Sequence, residues 1–217
     1  MRLTCLVAML LCATGYAQEG DPGALGKEEA KAGFVRLFDG KTHDGWQGSV
    51  KGYTIEDGAL ICKPGGSLYT KREYADFIFR FEFKLPPGGN NGVGIRTPMG
   101  VDAAYGGMEI QILDDGHKKY EGWLKPYQVH GSIYGVVAAK RGHLKPTGQW
   151  NSEEIFCKGS RVKVTLNDVV IVDEDISKID KTIDGRDHPG LHNEKGYIGF
   201  LGHGDPVEFR NIRVKQL

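Results

Sequence analysis

The sequence has no excess of charge of either sign: 28 lysines and arginines balance 28 aspartates and glutamates across 217 residues. The two signs are interspersed, so there is no basic stripe for nucleic acid and no polybasic face for an anionic membrane. Cysteine is scarce, with four residues. Cys5 and Cys12 lie in the N-terminal apolar segment, which leaves Cys62 and Cys157, whose spacing matches no metal motif. These two form either one long-loop disulfide or a pair of buried thiols. Beyond the N-terminus no run reaches the ~20 apolar residues that a membrane span needs, and after residue 33 no amphipathic helix of three turns is visible. No segment after the N-terminus is therefore read as a membrane-spanning helix.

The first residues have their own layout. Arg2 precedes an apolar run from Leu3 to Ala13, followed by small residues at Gly15 and Ala17, the arrangement of a cleaved signal peptide. The expected organisation is a signal peptide over 1–17, a polar linker over 18–32 and one domain over 33–217, placing the mature protein outside the cytoplasm, secreted or periplasmic. A lipid anchor on Cys12 is the lesser reading, because Leu11 is bulkier than the small residue such processing favours.

What the chain does have is glycine, 32 residues of it, set between apolar runs as in Pro64-Gly65-Gly66 and Pro86-Pro87-Gly88-Gly89, where turns between strands fall. From Asp76 to Leu85 the sequence alternates, placing Phe77, Phe79, Phe81, Phe83 and Leu85 on one face and charges on the other, a long half-buried strand. Arg161 to Leu166 repeats the pattern, and Asn167-Asp168 leads into Val169 to Val172 as a tight hairpin. Gly196 to Leu201 and Val207 to Val214 read as a closing pair of strands, with a bulge near Arg210-Asn211 because Phe209 and Ile212 are three apart. Many short strands with Gly/Pro turns predict an all-β domain, a two-sheet antiparallel sandwich.

Five stretches, in order, resemble the 3-keto-disaccharide hydrolase family: Leu37-Phe38-Asp39-Gly40-Lys41 with Asp44-Gly45-Trp46; Asn90 to Arg96; Glu109-Ile110-Gln111-Ile112-Leu113-Asp114-Asp115; Gly131-Ser132-Ile133-Tyr134-Gly135; and His203 to Ile212. One departure stands before the His-Gly pair, where Phe200-Leu201-Gly202 occupies a place at which the resemblance leads one to expect Gln or Asp. The resemblance implies a concanavalin A-like jelly-roll sandwich that cleaves glycosides whose sugar carries a ketone at C3, with a carbohydrate as partner and no organic cofactor.

Within Met108 to Leu113 the pleat puts Glu109, Gln111 and Leu113 on one face and Met108, Ile110 and Ile112 on the other. A retaining glycosidase needs two carboxylates about 5–5.5 Å apart, and Gln111 stands where the second would be. A 3-keto sugar relaxes that demand, since its carbonyl acidifies the C2 proton and one base starts an elimination. On this reading Glu109 or His130 takes the proton, and Arg96 or Gln111 stabilises the enolate oxygen. Gly92, Gly94 and Arg96 share a face by alternation, leaving open space beside the guanidinium. Tyr134 shares the strand face of His130, and His203 follows at a turn with Asp205 ordering the loop. Trp46 and Trp150 read as core, whereas Trp123 lies in a loop and suits a sugar-stacking platform. Asp114-Asp115-Gly116-His117 reads as an acidic turn, since nothing in the chain has the spacing of a metal motif. The segment 176–194 reads as a long solvated loop without an assigned residue. The rival reading is a non-catalytic carbohydrate-binding module on the same fold; a protein-interaction domain would instead expose an apolar patch.

Overall fold

A computed structural model describes residues 24–217. The expected signal peptide, Cys12 and the first residues of the polar linker lie outside the described residues. The linker's end forms a short helix α1 (Lys27–Lys31), and its Glu29 accepts from Arg80 and Arg213 at 3.0 and 2.8 Å.

Strands follow in the order β1 (Val35–Arg36), β2 (Trp46–Gly48), β3 (Tyr53–Glu56), β4 (Ala59–Cys62), β5 (Gly66–Tyr74), β6 (Phe77–Lys84) and β7 (Asn90–Thr97). After the one-turn helix α2 (Ala103–Gly106) come β8 (Met108–Leu113), β9 (Trp150–Lys158), β10 (Arg161–Leu166), β11 (Val169–Asp175), β12 (Gly196–Gly202) and β13 (Glu208–Gln216). They form two antiparallel sheets. The larger has eight strands in the order β11-β10-β9-β6-β13-β4-β3 with β1 against β13; the smaller has five in the order β2-β5-β12-β7-β8.

The alternation in β6 explains how the sheets hold together. Phe77, Phe79, Phe81 and Phe83 are all buried, while the residues between them reach the outer face. From the opposite sheet Phe200 meets Phe81 edge-on at 5.8 Å and stacks on Phe209 at 3.9 Å. Truncating any of these rings to alanine would cost about 3–5 kcal/mol. At the hairpin between β10 and β11, Asn167 and Asp168 both take positive φ, 46° and 69°, the conformation that a tight turn matching strand twist requires.

Two expectations change, and two others are settled. The two C-terminal strands do not pair with each other: β12 lies between β5 and β7, whereas β13 lies in the other sheet beside β6 and β4. The bulge in β13 is real, with the register shifting between Arg210 and Arg213 and Asn211 at φ 52°. Trp150 is half-buried on the outer face under Arg210 at 4.0 Å and Lys84 at 5.0 Å, while Trp46 is core. Of the two options for the late cysteines, the structure takes the buried thiols. Cys62 on β4 and Cys157 on β9 are three strand spacings apart, roughly 14 Å at ~4.8 Å per strand and beyond the ~7 Å limit for a disulfide. Burial raises both thiol pKa values, that of Cys157 to about 11.

Candidate active site

The outer face of β7 and β8 is roofed by three loops and α2, which leaves a cleft of about 340 Å³. Glu109 and Gln111 line its floor while Met108, Ile110 and Ile112 enter the core. Across from them on β7, Gly94 pairs with Glu109 and Gly92 with Gln111. The glycine at 92 makes room for the acid: a Cβ there would lie 2.1 Å from Glu109 Oε1.

Glu109 is 7% exposed, and no described residue donates a hydrogen bond to its carboxyl. Loss of hydration penalises the carboxylate, and the charge of Asp102 adds to the effect, so its pKa rises to about 8. Asp102 caps α2, its Oδ1 accepting from Ala104 N at 3.1 Å, and stands at the cleft mouth. His203 lines the same cleft, within electrostatic reach of Asp102. Desolvation of its ring pushes the imidazole pKa below its ordinary value, against the opposing charges of Asp205 and Asp102. Asp205 orders this loop by accepting from Asn90 N at 3.0 Å. Asn90 also lines the cleft and accepts from Gln111 Nε2 at 2.8 Å.

The far wall is aromatic. Trp123 is 53% exposed, packs on Tyr120 at 5.5 Å and anchors its indole N–H on Lys119 O. Tyr134, Tyr105, Gln128 and Arg186 complete it. The cleft therefore brings together Glu109, Gln111, Tyr134, Trp123 and His203.

Two sequence candidates lie elsewhere. Arg96 has φ 48°, beside a register shift between β7 and β12. This left-handed residue breaks the alternation and turns the side chain away from the cleft. Its guanidinium, almost fully buried, donates to Ala75 O, Gly159 O, Asn193 O and Asp76, and ties turns together. His130 is a core histidine. It stacks on Phe83 at 5.0 Å, its Nδ1 accepts from Leu113 N, and its Nε2 lies 3.0 Å from Glu153 Oε2. The next residue, Gly131, has φ 78°, so His130 and Tyr134 do not share a face and the stretch from 131 to 135 is a turn-rich segment bridged to β8 at Ile133.

Sequence reasoning missed Asp102, Tyr105 and Arg186. Arg186 comes from the loop read as merely solvated. That loop is latched by His188, whose Nδ1 lies 2.8 Å from Ala104 O and whose Nε2 lies 3.1 Å from Asp184 Oδ2. Around the acidic turn, Asp114 accepts from Gly88 N and Thr147 Oγ1, and Asp115 pairs with Arg141.

Comparison with known proteins agrees with this architecture. Residues 33–215 match the model of the 3-keto-alpha-glucoside-1,2-lyase-like domain. A 3-keto-disaccharide hydrolase of Bacteroides thetaiotaomicron is 28% identical over 232 residues, covering 85% of this chain and 79% of that protein. A crystal structure described as a "Putative glycosyl hydrolase" from Parabacteroides distasonis is 34% identical, with a TM-score of 0.76 over 85% of this chain and 99% of that one. A carbohydrate binding module from Bacillus subtilis, 13% identical with a TM-score of 0.51 over 79% of this chain and 96% of its own, shares the fold alone. The fold is the lectin/glucanase-like, concanavalin A-like sandwich.

Proposed function

The chain belongs to the 3-keto-alpha-glucoside-1,2-lyase-like family, and from that premise we propose that it cleaves glycosides bearing a ketone at C3 by removing the proton at C2. The observation that carries this reading is the cleft floor, where a buried Glu109 stands beside an amide, Gln111, and not beside a second carboxylate. With its pKa near 8, Glu109 holds its proton at neutral pH, and the other carboxylate, Asp102, is engaged as a helix cap. A nucleophile-plus-acid pair needs one ionised carboxylate facing the anomeric carbon, and the residue beside Glu109 on the cleft floor is Gln111. A cleft histidine with a lowered pKa is neutral at pH 7 and able to accept a proton.

On this reading His203 takes the C2 proton, and the electron pair of the C2–H bond moves into an enolate across C2 and C3. The enolate collapses to a C1–C2 double bond as the C1–O bond breaks, and Glu109 gives its proton to the departing oxygen. Water then adds at C1, and a proton returns to C2, for a net hydrolysis. Gln111 and Asn90 bind sugar hydroxyls, and Trp123 stacks on the sugar or its aglycone. The steps use ionisable groups of the chain, and the N-terminal layout supports export from the cytoplasm as part of this proposal.

Incubation with a 3-keto-glucoside and with the same glucoside left unoxidised tests the reading. Cleavage of the ketone alone, abolished in Glu109→Gln without loss of sugar affinity, supports it. Binding of both sugars with cleavage of neither would make the protein a carbohydrate-binding module instead.

A further inference from the structure

The enolate oxygen of such a reaction needs hydrogen-bond donors, and Gln111 has one of its amide N–H groups committed to Asn90. Two phenols in the cleft share an unusual arrangement. Arg186 Nη1 donates to Tyr105 Oη at 2.5 Å, and Gln128 Nε2 donates to Tyr134 Oη at 3.1 Å. A phenol oxygen that accepts a hydrogen bond keeps its own proton free to donate. Neither hydroxyl donates to another described residue. We propose that Tyr105 and Tyr134 aim their protons into the cleft and together form the donor pair that polarises the C3 ketone and holds the enolate oxygen. This rests on the reading of the reaction given above.

The supporting groups are fixed from behind. Gln128 Oε1 accepts from Lys125 N at 3.0 Å, so the amide nitrogen is the atom that faces Tyr134. Tyr127 holds the Tyr134 ring edge-on at 5.8 Å. Arg186 is carried by the loop that His188 latches, and the fit of that loop admits no side chain at two glycines. A Cβ on Gly190 would lie 2.0 Å from the Gly106 carbonyl carbon, and one on Gly135 would lie 2.7 Å from His188. The His188 ring also packs on Tyr105 at 4.8 Å. Burial raises the Tyr134 pKa, with Tyr105 and Glu109 adding to the rise, which keeps the hydroxyl a donor and places Tyr105 and Glu109 each within electrostatic reach of it. The charge-assisted bond from Arg186 polarises the Tyr105 hydroxyl further.

The decisive variant is Gln128→Glu, which keeps size and the contact with Lys125 but replaces the donor by a carboxylate that accepts the Tyr134 proton. The phenol remains, yet its proton is turned away from the cleft. With a 3-keto-glucoside, Tyr105→Phe, Tyr134→Phe and Gln128→Glu are each expected to lower kcat by about 10²-fold, the cost of one lost oxyanion donor, with little change in KM or in melting temperature. The double variant Q128E/Y134F is expected to be no slower than Tyr134→Phe alone, since both act through one proton. Wild-type cleavage together with a Gln128→Glu or Tyr134→Phe rate within about threefold of it, or fully additive losses in the double variant, would overturn the donor pair and leave the reaction standing. If wild type cleaves no 3-keto-glycoside, the reaction itself fails and takes the donor pair with it.

Discussion

Glu109→Gln is expected to do two opposite things, stop turnover and stabilise the fold. The folded pKa of Glu109 is raised from 4.5 to about 8 because its carboxylate is stripped of water. An unfolded chain ionises near 4.5, so between the two values the folded state holds a proton that the unfolded state has released. Wild-type stability therefore falls as pH rises from about 4.5 to about 8 and levels off above that. Glutamine does not titrate, so the difference between variant and wild type should be near zero below pH 4.5 and then grow by ~1.4 kcal/mol per pH unit. At pH 7 it reaches about 3 kcal/mol, which for a domain of this size raises the melting temperature by roughly 6–12 °C. Urea or thermal unfolding of both proteins from pH 4 to pH 9 measures it. A difference that does not change with pH would refute the reasoning, because Glu109 would then not be a buried acid with a raised pKa.

Other perturbations separate the cleft from its scaffold. Asp102→Asn removes the charge that helps raise the Glu109 pKa, so the alkaline limb of the kcat/KM profile should move to lower pH; an unmoved limb would disconnect Asp102 from Glu109. Gly92→Ala forces the Glu109 carboxyl from its place, and a displacement of about 1 Å should cost roughly 10²-fold in turnover, read by steady-state kinetics on a folded protein. Trp123→Ala should raise KM by about 2–10-fold, the ~0.5–1.5 kcal/mol of a stacking contact, with kcat preserved. Arg96→Met should cost at least about 1–3 kcal/mol of stability, because the carbonyls of Ala75, Gly159 and Asn193 lose their donor, while leaving the pH profile of the remaining folded enzyme unchanged.

The fold was legible where side-chain phase runs unbroken. In β6 and β8 the period of two assigns every residue to its face, so the aromatic core and the pairing of Glu109 with Gln111 on one surface follow from the sequence. The phase was lost at single left-handed residues. Arg96 at φ 48° and Gly131 at φ 78° each reset the alternation, and that is why Arg96 and His130 were aimed at a cleft they do not reach. A glycine announces such a break; an arginine in the left-handed region gives no local sign. The rest of the cleft comes from loops, where no period places a side chain. Asp102 carried a weak signal as an acid directly before Ala103-Ala104, the position of a helix cap. Tyr105 and Arg186 had none, being 81 positions apart and joined only through the packing of the later loop. Sheet assignment failed for a similar reason, since β12 and β13 are neighbours in sequence but a sandwich permits consecutive strands to cross between sheets.

The central claim is that the C2 proton leaves during cleavage, and the direct measurement is to run the reaction in D2O on a 3-keto-glucoside and examine the released 3-keto sugar by NMR and mass spectrometry. The account predicts one solvent deuterium at C2 of the product, above an enzyme-free control of the same sugar, and no cleavage of the unoxidised glucoside. Product formed with its original hydrogen still at C2 would contradict it.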